Sequence, residues 1–330
     1  MCIRDRVDSY KAQKRGGKGV RGAELKQDDI VKNFFVCSTH DWILFFTNFG
    51  RVYRLKAYEL PEGGRAARGQ HVANLLEFQP EEKIAQVIQI QSYEDAPYLV
   101  LATQQGRVKK SRLTDYESAR SAGLIAINLN EGDALIGAQL VSEGDDILLT
   151  SEQGQAIRFT ADDDQLRPMG RATAGVKGMR FRGDDQLLSM SVVHDGEFLL
   201  VATSGGYGKR TAIEEYTPQG RGGLGVMTFK YTPKRGKLIG AISVDEDDEI
   251  FAITSAGGVI RTEVDQIRPS SRATMGVRLV NLADDVELLA IDRNVEEDGE
   301  EDAQAVAKGE KTVDEVQQEH KAGDASKDEE

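Results

Sequence analysis

The chain has 330 residues, 39% of them apolar, with 34 glycines, seven prolines and a formal charge of −13. No apolar run approaches the roughly 18 residues of a membrane span, and glycine excess with few aromatics fits a turn-rich all-β protein with a real core. Cys2 and Cys37 lack metal-ligand spacing and fit a reducing cytosol, so neither a disulfide scaffold nor a cysteine metal site is expected.

Residues 1–6, Met1-Cys2-Ile3-Arg4-Asp5-Arg6, lack the apolar stretch of a signal peptide. They match nothing that follows and read as a non-native or misread start. Next comes Gln13-Lys14-Arg15-Gly16-Gly17-Lys18-Gly19, with three cations among three glycines. It is the most basic copy of a recurring element, Arg-x-x-x-Gly. Further copies run from Arg65 to Gly69, Arg171 to Gly175, Arg221 to Gly225 and Arg272 to Gly276, with a shortened one from Arg120 to Gly123.

A second signature precedes each element: an apolar run, Thr/Ser-x-x-Gly, then a short strand with a base four residues after the glycine. The apolar runs Trp42 to Phe46, Tyr98 to Ala102, Asp146 to Thr150, Phe198 to Ala202 and Glu249 to Ile253 read as buried strands. The turn glycines are Gly50, Gly106, Gly154, Gly206 and Gly257, spaced 56, 48, 52 and 51 residues apart. Return strands follow, such as Arg51 to Leu55 and Arg107 to Ser111. The Arg-x-x-x-Gly loop leads to a third strand, as in Val176 to Phe181, Val226 to Tyr231 and Val277 to Leu282. An acidic turn then opens a fourth, as in Leu187 to Val193. A period near 50 with four short strands per unit is the mark of a blade array.

There are five copies of the Thr/Ser-x-x-Gly signature and six of Arg-x-x-x-Gly. The chain therefore reads as opening inside a blade whose first hairpin is absent, as a fragment of a longer protein would. The expected fold is an all-β, six-bladed β-pinwheel over residues 7–293, with a truncated first blade at about 7–40 and five more after it. Residues 294–330 hold 14 acids and four bases, net −10, which leaves −3 for the body. Such a segment reads as a disordered acidic tail. Its charge also suggests that it folds back on basic loops and competes with an anionic ligand; unchanged affinity after its deletion would count against this.

The stretch from Gln13 to Gly19 resembles the gyrase-A box, Gln-Arg-Arg-Gly-Gly-Lys-Gly, with Lys14 as the one departure. With the repeats, it makes residues 7–293 similar to the C-terminal domain of the A subunit of bacterial DNA gyrase. That resemblance implies a six-bladed β-pinwheel that chirally wraps double-stranded DNA around its rim and delivers a segment for strand passage. It implies a partnership with the B subunit, together with the rest of the A subunit, in a heterotetramer of the bacterial cytoplasm at the nucleoid. ATP and magnesium would be used elsewhere in that assembly. No cofactor, metal, small-molecule substrate, membrane or catalytic residue is expected here.

Backbone recognition calls for cations spread over a curved surface rather than a base-reading code. The box residues Gln13, Lys14, Arg15, Gly16, Gly17, Lys18 and Gly19 are the first candidates. A lower tier follows along the rim: Arg21, Arg51, Arg54, Arg65, Arg68, Arg107, Lys109, Lys110, Arg112, Arg158, Arg171, Lys177, Arg180, Lys209, Arg210, Arg221, Arg261, Arg272 and Arg278. The bland reading of any one loop is a turn whose arginine pairs with nearby acid. The base four residues after the turn glycine has its own difficulty, because alternation puts it on the face of Val52, Val108 and Val259.

Other patterns dissolve. Gly17 to Gly22 and Gly220 to Gly225 match G-x-G-x-x-G, but β-like residues rather than a helix follow the second. His40, His71, His194 and His320 show no ligand spacing. Asp162-Asp163-Asp164 reads as a solvated turn. The rival readings are the related topoisomerase IV domain, which typically has fewer blades and a degenerate box, and a protein-interaction propeller. A propeller enzyme would need acids or histidines clustered from several blades, and none is found.

Overall fold

A computed structural model of the protein describes residue 4 and residues 37–63, 69–118, 122–193, 197–256 and 259–294. The box, Arg21, Arg65, Arg68 and the tail beyond 294 lie outside the described residues.

The repeating hairpin follows from its turn. Strand β1 (Trp42–Thr47) returns as β2 (Arg51–Lys56), β4 (Tyr98–Thr103) as β5 (Arg107–Arg112), β8 (Asp146–Ser151) as β9 (Gln155–Thr160), and β12 (Phe198–Thr203) as β13 (Tyr207–Ala212). Gly50, Gly106, Gly154 and Gly206 sit at φ of 70°, 78°, 88° and 76°, where a Cβ would be strained. The Thr or Ser opening three of these turns accepts the amide four residues on, from Arg107, Gln155 and Tyr207. The last hairpin is β16 (Glu249–Thr254) with β17 (Val259–Glu263).

Each unit adds an inner strand beside its first: β3 (Ile84–Ile90), β7 (Leu135–Val141), β11 (Leu187–Val192), β15 (Leu238–Val244) and β19 (Leu288–Asn294). These inner strands neighbour one another in succession. Both faces of the first strands are buried, so alternate residues feed two cores. Leu44 and Phe46 pack with Leu99 and Leu101 of the next unit, while Val100 and Ala102 pack with Ile147 and Leu149 beyond. Each such side chain contributes about 1.5–3 kcal/mol by leaving water.

The fourth strand departs from expectation. Val176 to Phe181, Val226 to Tyr231 and Val277 to Leu282 were each expected as a third strand of their own unit. Only two residues of each form a strand, and they join the preceding unit. The short strands β6 (Leu124–Ile125), β10 (Val176–Lys177), β14 (Val226–Met227) and β18 (Val277–Arg278) are the outermost strands beside β2, β5, β9 and β13. They stop because the next two amides converge on one acceptor. Those of Ala126 and Ile127 both donate to the Gly50 carbonyl, those of Gly178 and Met179 to Gly106, and those of Thr228 and Phe229 to Gly154. A straight ladder cannot bring successive amides to one oxygen.

The described residues thus form four four-stranded sheets and one three-stranded sheet, β17-β16-β19, or five blades. Among them no strand pairs with the outer edge of β17. Arg4 bridges to Glu62, 2.8 Å between guanidinium and carboxylate. Among the described residues helix is confined to short 3-10 turns, and none is long and apolar enough to cross a membrane.

Candidate nucleic-acid interface

The outer edge of each blade is built around the glycine that ends Arg-x-x-x-Gly. Gly175, Gly225 and Gly276 have φ of 68°, 70° and 67°. A Cβ there would run into the carbonyl oxygen of Val108, Ala156 or Gly208 on the preceding unit's return strand. The motif is first a docking device between units.

Several cations expected on the rim serve that docking instead. Arg51 donates to the Ala122 carbonyl at 2.9 Å, and Arg107 to those of Ala174 and Gly175 at 2.7 and 2.5 Å. In the fourth described unit Arg235, stacked on Tyr207 at 4.3 Å, does the same for Met275 and Gly276. Arg235 lies outside the repeat pattern, so sequence reasoning missed it.

The base four residues after the turn glycine has one role throughout. Its partner is the first residue of the same hairpin. Where that residue is aromatic the cation stacks: Arg54 over Trp42 at 4.0 Å, Lys110 over Tyr98 at 4.6 Å, Arg210 over Phe198 at 4.7 Å. Where it is acidic the cation pairs: Arg158 with Asp146 at 2.7 Å, and Arg261 with Glu249. Lys110 and Arg210 are buried, so the expectation that they face a ligand on the rim is corrected. The Val52 and Val108 face that made this position doubtful is the buried one, and the stems of these bases follow it inward.

Lys109 and Lys209 are also wholly buried, another correction. Lys109 donates to the carbonyls of Ala126 and Arg171, and Lys209 to those of Ser271 and Arg272 at 2.5 and 2.6 Å. Burial pushes Lys109 down to about 7, helped by the Arg171 charge and opposed by Asp115. Burial likewise lowers Lys209 to about 8, against Glu215 and with Arg272.

The remaining candidates lie at the outer edge. Arg112, Lys177, Arg180 and Arg278 are exposed; Arg171, Arg221 and Arg272 are half-buried. Lys177, Arg180 and Arg221 gather on one loop pair: Arg221 donates to the Lys177 carbonyl at 3.1 Å and Arg180 to that of Gly222 at 2.5 Å. Arg182, not anticipated, lines a small cavity there with Arg180, Gln155 and Leu224. Ile125, Met227 and Val277 are exposed on the outermost strands, a recurrence readable as the first or second residue after each loop glycine.

The loops joining inner strands to the next hairpin, with the turns after β9 and β17, carry the opposite sign. Glu197, Asp245, Glu246, Asp247 and Asp265 line one open cavity, and Glu143 and Asp163 flank Lys110 at 3.7 and 3.5 Å. Acid therefore gathers at these loops, and the exposed cations Arg112, Lys177, Arg180 and Arg278 at the outer edge. Among the described residues no group of three or more His, Cys, Asp or Glu could hold a metal ion.

A family described as DNA gyrase C-terminal domain, beta-propeller, matches residues 2–38, 41–91, 97–142, 145–194, 197–245 and 248–294, in six repeats. The DNA gyrase A protein of Mycolicibacterium smegmatis is 67% identical over 295 residues, 89% of this chain and 35% of that protein. The chain thus spans about a third of the length of the curated relatives it matches. A solved structure of a DNA gyrase A C-terminal domain superposes with a TM-score of 0.69 at 25% identity, over 88% of this chain and 94% of that one. The C-terminal domain of a DNA topoisomerase IV gives 0.73 at 26% identity, over 82% and 84%.

Proposed function

Because the chain belongs to the DNA gyrase C-terminal domain, beta-propeller family, we propose that it binds double-stranded DNA along its outer edge and wraps it with a fixed hand. The carrying observation is the recurrence of Arg171, Arg221 and Arg272 on equivalent outer loops, with Lys177, Arg180 and Arg278 exposed beside them. Cations at blade-to-blade intervals suit a phosphate backbone that follows the curve. Bending 20–30 bp by 40–90° costs roughly 1–6 kcal/mol, so several phosphate contacts must offset it.

The wrap is completed by a sixth blade and by the box. Six repeats match the family, and the outer edge of β17 takes no partner among the described residues. In the other units that place is filled by the two residues after Arg-x-x-x-Gly. Val20 and Arg21 follow Gly19 in the same way. On this reading Lys14, Arg15 and Lys18 belong to the DNA-binding set. The parent protein would be a gyrase A subunit that works with a B subunit, with ATP and magnesium handled outside this stretch.

The test is a topology footprint. The chain is bound to relaxed closed-circular DNA, which is relaxed again with a type I topoisomerase; the linking number is then read after deproteinising. A positive shift, lost in Lys14→Ala/Arg15→Ala/Lys18→Ala, is expected. Binding without any shift overturns the wrapping, and no binding at low salt overturns the DNA reading altogether.

A further inference from the structure

Two of the outer loops rest on a lysine with no carboxylate bonded to it among the described residues. Lys109 leaves β5 beneath the loop that begins at Arg171; its ammonium holds the carbonyls of Arg171 and Ala126. Lys209 leaves β13 beneath the loop that begins at Arg272, and holds the carbonyls of Ser271 and Arg272. A buried ammonium hydrogen-bonded only to carbonyls is a poised charge, because Asp115 and Glu215 favour it without offsetting its burial. The arginine above it is a like charge that disfavours its protonation.

The third such position makes the contrast. In β9, Ile157 occupies the place of Lys109 and Lys209, opposite Leu149 as Lys109 is opposite Leu101. The loop above Ile157 is tied down from outside, by Arg221 donating to the Gln165 and Lys177 carbonyls. Over the lysines the arginines make only long contacts, Arg171 to the Ile125 carbonyl at 3.3 Å and Arg272 to that of Met227 at 3.4 Å. A lysine beneath the loop takes over its anchoring and leaves the arginine's guanidinium available.

We propose that Lys109 and Lys209 are positioning residues of the DNA interface: each clamps an Arg-x-x-x-Gly loop by its main chain and couples phosphate binding at Arg171 or Arg272 to proton uptake inside the blade. This rests on the DNA reading above. A phosphate on Arg171 cancels the charge that opposes protonation of Lys109, so the ammonium form is favoured when DNA is bound. By linkage, protonating the lysine strengthens DNA binding by the same factor. Both lysines sit low enough to respond between pH 7 and 9. The groups facing them are few. Asp115 and Tyr116 lie on the turn after β5, and Arg171 lies above Lys109; Glu215, Tyr216 and Arg272 surround Lys209. Burial raises both tyrosines, Tyr116 to about 12, so they stay neutral in this range. Asp115 and Glu215 act against the arginines without cancelling the burial.

The experiment is calorimetric titration of the whole chain with a linear duplex at fixed ionic strength. It is run at pH 7.5 in two buffers of different ionisation enthalpy, with affinity followed from pH 7 to 9. The wild type should take up a fraction of a proton per domain and lose up to about threefold in affinity per pH unit through this site. Lys109→Met with Lys209→Met keeps the stems and should abolish that uptake; comparing the two subtracts the histidines. Equal uptake in wild type and variant overturns the coupling while leaving DNA binding intact. If the double variant does not fold, Arg171→Gln with Arg272→Gln serves instead, and unchanged uptake there overturns the proposal equally. No binding at low salt overturns the DNA reading and the coupling with it.

Discussion

The loop over β5 and the loop over β9 have the same backbone and opposite anchorage. Over β5, a buried Lys109 pulls the loop inward by its carbonyls while Arg171 reaches out. Over β9, Ile157 offers only packing, and Arg221 itself folds back to Gln165 and Lys177. The same motif therefore spends its arginine in one unit and presents it in another. A repeat element is one geometry with interchangeable supports, and equivalence of sequence position does not imply equivalence of chemical role.

The largest effect should ignore that difference. Gly175→Ala and Gly225→Ala each force a Cβ into a neighbouring carbonyl at positive φ, and both should cost about 3 kcal/mol in denaturant unfolding. Gly220→Ala, with nothing within 4 Å, should be neutral. If Gly225→Ala were also neutral, the shared docking geometry would be wrong.

The next effect separates the two loops. Ile157→Lys puts an ammonium among Leu149 and Phe159 in a core built for apolar packing, and should cost about 3 kcal/mol by urea melts. Lys109→Met should cost less, since losing a caged ion is partly offset by apolar packing.

Stability should also depend on pH through the lysines. Unfolded, they titrate near about 10.4; folded, Lys109 and Lys209 titrate at about 7 and about 8. Between those values the unfolded chain binds more protons, so stability rises with pH, and the gain is absent below 7. From pH 7 to 9 the wild type should gain roughly 3–4 kcal/mol over Lys109→Met/Lys209→Met in thermal melts. Above pH 10 the trend should reverse. Tyr53 and Tyr116 are raised to about 12 by burial, and Tyr53 also by its bond to Glu82, so the unfolded chain ionises first there.

Smallest is the arginine pair. Arg221→Ala removes the anchor over β9 and should cost about 1 kcal/mol of stability, whereas Arg171→Ala should cost under about 0.5. In DNA binding the order should invert, with Arg171→Ala lowering the salt slope by about 0.9 for each phosphate it no longer neutralises. Equal effects of the two on both readouts would erase the distinction.

Much of this fold was legible. Thr/Ser-x-x-Gly located every described hairpin: in three turns the hydroxyl accepts the fifth amide, and in four the glycine sits at positive φ. The exchange of the outer strand was not legible. Val176-Lys177 has the same β-like character whichever hairpin it joins, and its choice depends on the Gly106 carbonyl of the preceding unit. For the site, periodicity found the loops that carry Arg171, Arg221 and Arg272 but overcounted the cations. Lys109, Lys110, Lys209 and Arg210 are polar in composition and interior in place, because carbonyls and aromatic rings receive them. Only the alternation against Val52 and Val108 hinted at this for Lys110 and Arg210.

The borrowed outer strand also sets a schedule. Arg51 leaves the ribosome long before Ala122, the loop residue 71 positions later that it grips. Each blade therefore waits for its successor's chain before its edge is covered, and a nascent array always carries one unfinished blade at its growing end. An arrest or truncation anywhere along the chain leaves one open edge, available to any extended segment that reaches it first.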